Sequence, residues 1–225
     1  MKIKTSYLIL ETNSPLKEGA NQLRGYIGNQ YPEHLALHHH LEGTQYLYTY
    51  PKVQYKVMGG TPSLLGIDEG ADVVREISGS LDELLLGNNT YSVEQKIIYE
   101  RNSDVRSDKN IQYKFITPWI GLNSKNYGIF SQMRDWKEKK ALLNKTLVGN
   151  ILSMCKGLGI IANRRLEAHS HLDPERVSFK GIEVLGFTGQ FKVNFRIPDF
   201  FGLGKGVSQG FGTVKEVRDA NSGDL

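Results

Sequence analysis

The chain has 225 residues and a formal net charge of +4 at pH 7, with an isoelectric point near 9.0. This length is enough for one large domain or two small ones, and the aromatic content excludes a disordered chain. The single cysteine, Cys155, excludes an internal disulfide and any zinc site built on paired cysteines. The apolar run after Met1 is too short for a signal peptide and no long apolar span follows, so we expect a cytoplasmic protein without a membrane partner.

The first half of the chain is predicted to form a βαββαβ unit, the ferredoxin-like arrangement in which two helices cover one face of a four-stranded antiparallel sheet. Ser14 and Pro15 are typical of a helix start, and apolar residues from Leu16 to Ile27 then recur at spacings of four, three and four. The predicted elements are strand 2–10, helix 14–27, strand 45–58 with a bend at Pro51, a turn at Gly59-Gly60, strand 61–67, helix 71–85 and strand 91–101.

The second half is predicted to repeat this topology in an eroded form. Residues 102–110 are polar and lack apolar periodicity, so we place a boundary there and predict domains at residues 1–103 and 110–225. The predicted elements are a strand from 111 to about 119, a long helix ending near Lys156, strands 177–187 and 190–197 around a turn at Thr188-Gly189, and a last strand at 213–217. The predicted fold class is therefore α+β, with tandem ferredoxin-like (RRM-like) domains and a C-terminal glycine-rich loop.

The glycine-rich loop is the most specific feature of the sequence. It runs from Gly202 to Val214 and contains two Gly-apolar-Gly units that flank five residues. Glycine accepts positive φ and close backbone contacts, so such a loop can expose N–H groups that hold a phosphate. It is not a Walker loop, because Lys205 is followed by Gly206, and too little chain follows it for a dinucleotide-binding βαβ unit. A structural turn before the last strand is the simpler alternative.

The Gly-φ-Gly-x5-Gly-φ-Gly arrangement, in which φ is an apolar residue, resembles the C-terminal loop of the CRISPR-associated RAMP superfamily, and most closely that of its repeat-RNA-processing endoribonucleases. The resemblance is specific at the C-terminus and loose at the N-terminus. It implies CRISPR repeat RNA as the partner and cleavage of repeat transcripts into guide RNAs. A non-catalytic RAMP subunit that holds guide RNA in an effector complex is the alternative, and a ferredoxin-like module without a nucleic-acid role is a third. Association with other CRISPR effector subunits and formation of a homodimer are left open.

The chemistry of such a cleavage follows from the substrate. RNA carries its own nucleophile, the 2′-OH, so strand cleavage needs a base for that proton, an acid for the departing 5′-oxygen and positive charge near the phosphate. Histidine can fill the first two roles because it titrates near neutral pH. The products would be a 2′,3′-cyclic phosphate and a 5′-OH, and no metal or other cofactor is required.

A histidine near the end of the first helix usually takes part in cutting the RNA in that family. His38, His39 and His40 stand at this position, and we predict catalysis by His39 and His40, with His38 a weaker candidate. A solvated triplet without a catalytic role is the alternative. The predicted supporting residues are Lys52 as the cation and Tyr26 or Tyr46 as a hydrogen-bond donor to the phosphate.

The predicted RNA contacts combine the glycine loop with basic side chains of the second half. Strand 190–197 alternates, with residues such as Phe191 toward the core and Lys192 and Arg196 on the free face. The predicted RNA-binding residues are Gly202, Gly204, Lys205, Ser208, Gly210, Gly212, Arg164, Arg165, Lys192 and Arg196. His169 and His171, at alternate strand positions, are a second candidate pair, but two histidines without a third ligand are a weak metal signal.

Overall fold

The computed structural model describes residues 1–38 and 50–218. The chain divides into two compact units. The N-terminal unit contains Lys2–Ser103 together with Val207–Gly210. The C-terminal unit contains Met1, Asp104–Gly206 and the chain from Phe211 onward.

The N-terminal unit is built around a five-stranded sheet. Its elements are β1 Lys2–Thr12, α1 Ala20–Gln30, α2 Leu35–His38, β2 Val53–Met58, β3 Thr61–Ile67, α3 Glu69–Ser78, β4 Glu83–Leu86 and β5 Asn89–Asp104. The strand order is β2-β3-β1-β5-β4, with antiparallel pairing of β1 with β3, β2 with β3 and β4 with β5. Strands β2, β3, β1 and β5 follow the ferredoxin-like order, which confirms the predicted fold class for this half, and β4 lies at the edge.

The core of this unit lies between one sheet face and the helices. Leu23 and Ile27 of α1 and Val74 of α3 belong to the same buried cluster as Tyr55 of β2 and Leu64 of β3. The apolar face predicted for the first helix is therefore confirmed as a core face.

The first helix begins at Ala20, and the predicted start at Ser14-Pro15 is wrong. The segment before it is irregular and bonds to distant parts of the unit, since Leu16 N donates to Gly60 O at 2.8 Å and Lys17 N donates to the Tyr91 hydroxyl at 3.2 Å. Gly19 caps the helix instead, with its own N–H donating to the Gln22 side chain at 3.1 Å. Leu16 still packs into the core as part of the irregular segment before α1.

The second predicted helix, 71–85, is wrong beyond Ser78, where α3 ends. Leu84 and Leu86 are buried whereas Leu85 is 51% exposed, which is the two-residue alternation of a strand. The predicted turn at Gly59-Gly60 is confirmed, with φ of +58° and +83° between the paired residues Met58 and Thr61. The strand after it is confirmed as β3, while β2 starts at Val53, and residues 45–49 of its predicted span lie outside the described residues.

The C-terminal unit contains a four-stranded antiparallel sheet with the order β7-β8-β6-β9. Its elements are β6 Arg106–Trp119, α4 Ser124–Gln132, α5 Trp136–Gly157, β7 Ala168–Phe179, β8 Ile182–Arg196 and β9 Val214–Glu216. A 3₁₀ turn at Val207–Gln209 belongs to the N-terminal unit. The order matches the ferredoxin-like arrangement, so the tandem fold is confirmed.

Aromatic rings of β6 and β8 fill the core of the C-terminal unit. The Phe115 ring stacks on Trp119 at 5.5 Å between centroids and meets Phe191 at 5.0 Å. Phe187 contacts Phe130 of α4 edge to face at 5.6 Å. The buried alternation predicted for strand 190–197 is confirmed, because Phe191, Val193, Phe195 and Ile197 are all buried.

The predicted hairpin turn at Thr188-Gly189 is wrong, because the turn lies at Lys180 and Gly181, with φ of +53° and +76°. Gly189 instead lies within β8, opposite Leu172 of β7. A Cβ at Gly189 would lie 2.4 Å from the carbonyl oxygen of His171, so this glycine allows two strands to approach closely.

Two further segments have a secondary structure that the sequence did not predict, while the predicted domain limits at residues 103 and 110 stay a prediction. The polar segment 102–110 is strand on both sides of Val105, whose N–H donates to Met1 O at 2.9 Å. The predicted long helix is two helices, since α5 starts afresh at Trp136, where the Asp135 carboxylate accepts a hydrogen bond from Lys137 N at 2.8 Å. None of the helices in the described part of the chain is long and apolar enough to cross a membrane.

Candidate functional site

The short helix α2 leads directly into the histidine triplet. Leu37 is buried, and its carbonyl oxygen accepts a hydrogen bond from the Tyr55 hydroxyl of β2 at 3.3 Å. The last turn before the histidines is thereby fixed to the sheet. The structure describes only the backbone of His38, and the predicted catalytic residues His39, His40 and Tyr46 lie outside the described residues.

Lys52, the predicted cation of the cleavage site, lies just before β2. Its ammonium is 3.0 Å from the Asp68 carboxylate and 3.4 Å from that of Glu69, and its side chain is 22% exposed. Its charge is therefore balanced within the N-terminal unit, and a role toward RNA stays a prediction.

Tyr26, one of the predicted phosphate donors, lies on α1. Its hydroxyl donates to the Glu83 carbonyl oxygen of β4 at 3.0 Å. Burial raises the pKa of Tyr26, and the nearby Glu83 carboxylate adds to that effect. A Tyr26 hydroxyl that keeps this bond serves to join α1 to β4, and its contact with phosphate stays a prediction.

Both ends of the glycine loop are held by backbone hydrogen bonds within the C-terminal unit. Leu203 N donates to Gly212 O at 2.9 Å, Gly212 N to Pro118 O at 2.8 Å, and Lys205 N to Ile120 O at 2.9 Å. Gly212 has a φ of +65°, and a Cβ there would lie 2.0 Å from the Leu203 carbonyl oxygen. These three amides are not available to bind a phosphate, so they maintain the fold at the two ends of the loop.

The middle of the loop, Val207–Gly210, belongs to the N-terminal unit. Within that unit Arg24 of α1 donates from Nη1 to the Ser208 hydroxyl at 3.1 Å. Gly210 has a φ of +84°, and a Cβ there would lie 2.9 Å from the Tyr55 carbonyl oxygen. The structure thus joins the predicted RNA contact Ser208 to α1 through Arg24. Sequence reasoning missed Arg24, because a single arginine among the polar residues of α1 carries no distinguishing signal.

The remaining predicted RNA-binding residues fall into two groups. Arg196 is neutralised, because it lies 3.1 Å from the Asp108 carboxylate and 3.6 Å from that of Glu216. The exposed residues are Arg164, Arg165, Lys192 and Lys205. No ion pair within residues 1–38 and 50–218 compensates the charges of this second group, and RNA binding by either group stays a prediction.

His169 and His171 lie on the exposed face of β7, two residues apart, as their spacing predicts. Across residues 1–38 and 50–218, no three His, Cys, Asp or Glu side chains form a group that could hold a metal ion.

Comparison with known proteins assigns both halves of the chain to one family. The model of the Cas6b N-terminal domain matches residues 1–104, and that of the Cas6b C-terminal domain matches residues 105–217. A protein of Methanocaldococcus jannaschii, named as uncharacterized, is 47% identical over 115 residues, which cover 50% of this chain and 77% of that protein.

Two solved structures resemble the chain over nearly all its length. A crystal structure of Cas6b is 32% identical with a TM-score of 0.90, covering 96% of this chain and 100% of that one. A crystal structure described as the CRISPR RNA processing endoribonuclease Cas6b is 29% identical, with a TM-score of 0.77 and the same coverage. A Cas6 product complex at 16% identity and a TM-score of 0.61 shares the fold. The resemblance inferred from the glycine-rich loop is confirmed: the chain belongs to the Cas6b family.

Proposed function

We propose that this protein is an endoribonuclease that cleaves CRISPR repeat transcripts into guide RNAs. The observation that carries the proposal is the family match over residues 1–217. It is supported by the 29% identity to a structure described as a CRISPR RNA processing endoribonuclease. The cytoplasm as its location, and association with further CRISPR subunits or with a second copy, stay predictions.

The proposed reaction uses the nucleophile that RNA carries. A base removes the 2′-OH proton, the 2′-oxygen attacks the adjacent phosphorus, and an acid protonates the departing 5′-oxygen. The products are a 2′,3′-cyclic phosphate and a 5′-OH. This transesterification balances without a metal ion, because the nucleophile and the leaving group are both oxygens of the RNA.

His39 and His40 are proposed as the acid and the base, with His38 as the weaker candidate. The support from the fold is the anchoring of α2, since the hydrogen bond from the Tyr55 hydroxyl to Leu37 O fixes the start of the triplet. The phosphate would be assisted by Lys52 and by Tyr26 or Tyr46. To contact the RNA, the Lys52 ammonium would have to leave its ion pair with Asp68.

The glycine loop is proposed to bind RNA through its side chains and its middle segment. The loop amides that donate to Ile120 O and Pro118 O hold the loop in its conformation. The exposed Lys205 side chain supplies positive charge for the RNA. Ser208, held by Arg24, is the loop hydroxyl nearest to a described cation of α1.

The test is cleavage of a labelled repeat RNA in EDTA by wild type and by His39→Ala and His40→Ala separately. We expect wild type to cut at one position and a catalytic histidine variant to be slower by about 10²- to 10⁴-fold, which is the usual contribution of an acid or base. The matched control is His34→Ala. His34 lies in the same region, and its ring centroid is 6.5 Å from that of Tyr31. This variant should cut like wild type. Tight binding of the repeat without any cutting would refute the enzyme and favour an RNA-holding subunit.

A further inference from the structure

The sheet of the C-terminal unit has a polar face opposite its aromatic core, and the pairing register defines its layout. In one row across the strands, His171 of β7 lies opposite Gln190 of β8, which lies opposite Lys114 of β6, which lies opposite Lys215 of β9. In the next row, His169 of β7, Lys192 of β8 and Gln112 of β6 lie side by side. Neighbouring strands are about 4.8 Å apart, so the first row spans about 14 Å, and the rows are about 7 Å apart.

The three lysines of these rows carry charge that nothing described here neutralises. Lys114, Lys192 and Lys215 are exposed, and none of them has a carboxylate within ion-pair distance among residues 1–38 and 50–218. The Lys215 ammonium lies 5.7 Å from the Phe200 ring centroid, a contact that leaves its charge uncompensated. Arg196, farther along β8, is by contrast balanced by Asp108 and Glu216.

The arrangement is unfavourable for the isolated protein. Lys114 and Lys215 are directly opposite each other in an antiparallel pair, so their Cβ atoms are about 5 Å apart and like charges there destabilise the sheet. Repulsion between these two ammonium groups therefore lowers the stability of the folded sheet, which a neutral pair would not do. An anionic partner on this face removes that cost.

We propose that this face, which we call the lysine face (Lys114, Lys192 and Lys215 with His169 and His171), binds the phosphate backbone of an unpaired RNA strand. The rows of unpaired charge and the opposed Lys114–Lys215 pair favour a polyanion, and the identity of that polyanion as RNA rests on the proposed function. A domain that binds duplex RNA covers roughly 16 base pairs, a length far greater than this patch of about 14 by 7 Å. The size of the patch therefore favours a single strand. Histidines at the β7 edge can also stack on unpaired bases.

The test measures binding of fluorescent oligouridine to the full chain as a function of salt, separately from cleavage. The variant is Lys114→Gln, Lys192→Gln and Lys215→Gln combined. Each phosphate contact contributes about 0.7 to the slope of log affinity against log salt for a single strand, so the variant should lose about 2 from that slope. The same relation gives a loss of affinity of about 100-fold at 0.1 M salt.

The matched control makes the same charge change on the helices of the same unit, with Lys125→Gln, Lys145→Gln and Lys156→Gln combined. These lysines are exposed on α4 and α5. The control should keep the wild-type slope within about 0.5. Equal loss in both variants would overturn the proposal, because net charge would then explain the binding. So would a lysine-face variant that binds like wild type, or a wild type that does not bind oligouridine at low salt.

Two parallel measurements keep the outcomes separate. The lysine-face variant should melt at or above the wild-type temperature, because removing the Lys114–Lys215 repulsion favours the sheet. Repeat cleavage by wild type is followed in the same samples. Oligouridine binding that depends on the lysine face, together with no cleavage, would support this inference while refuting the proposed function.

Discussion

Replacement of Lys56 by methionine should stabilise the protein at neutral pH and lose that benefit as the pH rises. Lys56 of β2 is fully buried, and within residues 1–38 and 50–218 its ammonium bonds only to the Gln54 side-chain oxygen, at 3.2 Å. Burial lowers the pKa of Lys56 from 10.5 to about 7. Methionine matches the lysine stem in length and carries no charge to bury.

The magnitude follows from the difference between the folded and unfolded pKa values. Below pH 7 the folded state carries the full cost of the buried ammonium, on the order of 5 kcal/mol at about 1.4 kcal/mol per pH unit. Between pH 7 and 10.5 the unfolded chain binds the extra proton, so wild-type stability from this group rises with pH. Methionine leaves the buried Gln54 oxygen without its hydrogen-bond donor, which offsets roughly 1–3 kcal/mol of the gain from removing the ammonium. We therefore expect Lys56→Met to have a free energy of unfolding roughly 2–4 kcal/mol above that of wild type at pH 7. At pH 9 this difference should be smaller by about 2 kcal/mol.

The assay is urea unfolding of wild type and Lys56→Met at pH 6, 7, 8 and 9. Lys2→Met is the control, because Lys2 is an exposed lysine of β1 in the same unit. Its difference from wild type should be small and independent of pH. An advantage of Lys56→Met that is the same at every pH would contradict the cost of the buried ammonium, and so would a variant less stable than wild type at pH 6.

Two further predictions concern the loop and the cysteine. Gly212→Ala should lower the free energy of unfolding by more than about 3 kcal/mol, since a Cβ there would lie 2.0 Å from Leu203 O. Gly159→Ala is the control, because Gly159 has a similar φ of +66° but open space around it, and it should cost about 1 kcal/mol. Equal losses of unfolding free energy in the two variants would contradict the close contact. Burial raises the pKa of Cys155 to about 11, so a disulfide reagent at pH 8 should label it only in denaturant, and rapid labelling of the native protein would contradict its burial.

The sequence predicted the elements whose local signal agrees with their tertiary role. Alternation from Phe191 to Ile197 predicted a strand with one core face, and the core is found there. The two Gly-apolar-Gly units, together with the tandem ferredoxin-like topology, predicted the repeat-RNA-processing endoribonucleases, and the family match confirms them. In these segments the side-chain pattern and the backbone requirement both fix the structure.

The predictions failed where one local signal fits two structures. Leu81, Leu84 and Leu85 fit a helical face, but a strand also buries Leu84 and exposes Leu85, and pairing with β5 decides between them. Gly181 and Gly189 both have positive φ, and only the approach of the β7 backbone at His171 reveals that Gly189 lies inside a strand. Such choices depend on neighbours distant in the chain.

The functional residues divide in the same way. The histidine triplet and Lys205 are visible as residue types at a position in the sequence, whereas Arg24 and the lysine face depend on which segments meet. Lys56 is the clearest case, because strand alternation would place Gln54 and Lys56 on a solvated face, yet both are buried. Burial of a polar strand face by other parts of the chain is a tertiary event that a local pattern does not record.

The central claim is that the chain cleaves CRISPR repeat RNA through the 2′-OH at the cut. The most direct measurement compares an all-ribose repeat RNA with the same RNA carrying one 2′-deoxy nucleotide immediately 5′ of the scissile phosphate, both in EDTA. We expect a single cut in the first RNA with a 2′,3′-cyclic phosphate end, and equal binding without cutting in the second. Cleavage of the deoxy-substituted RNA at the same position, or a 3′-OH product from the first, would contradict it.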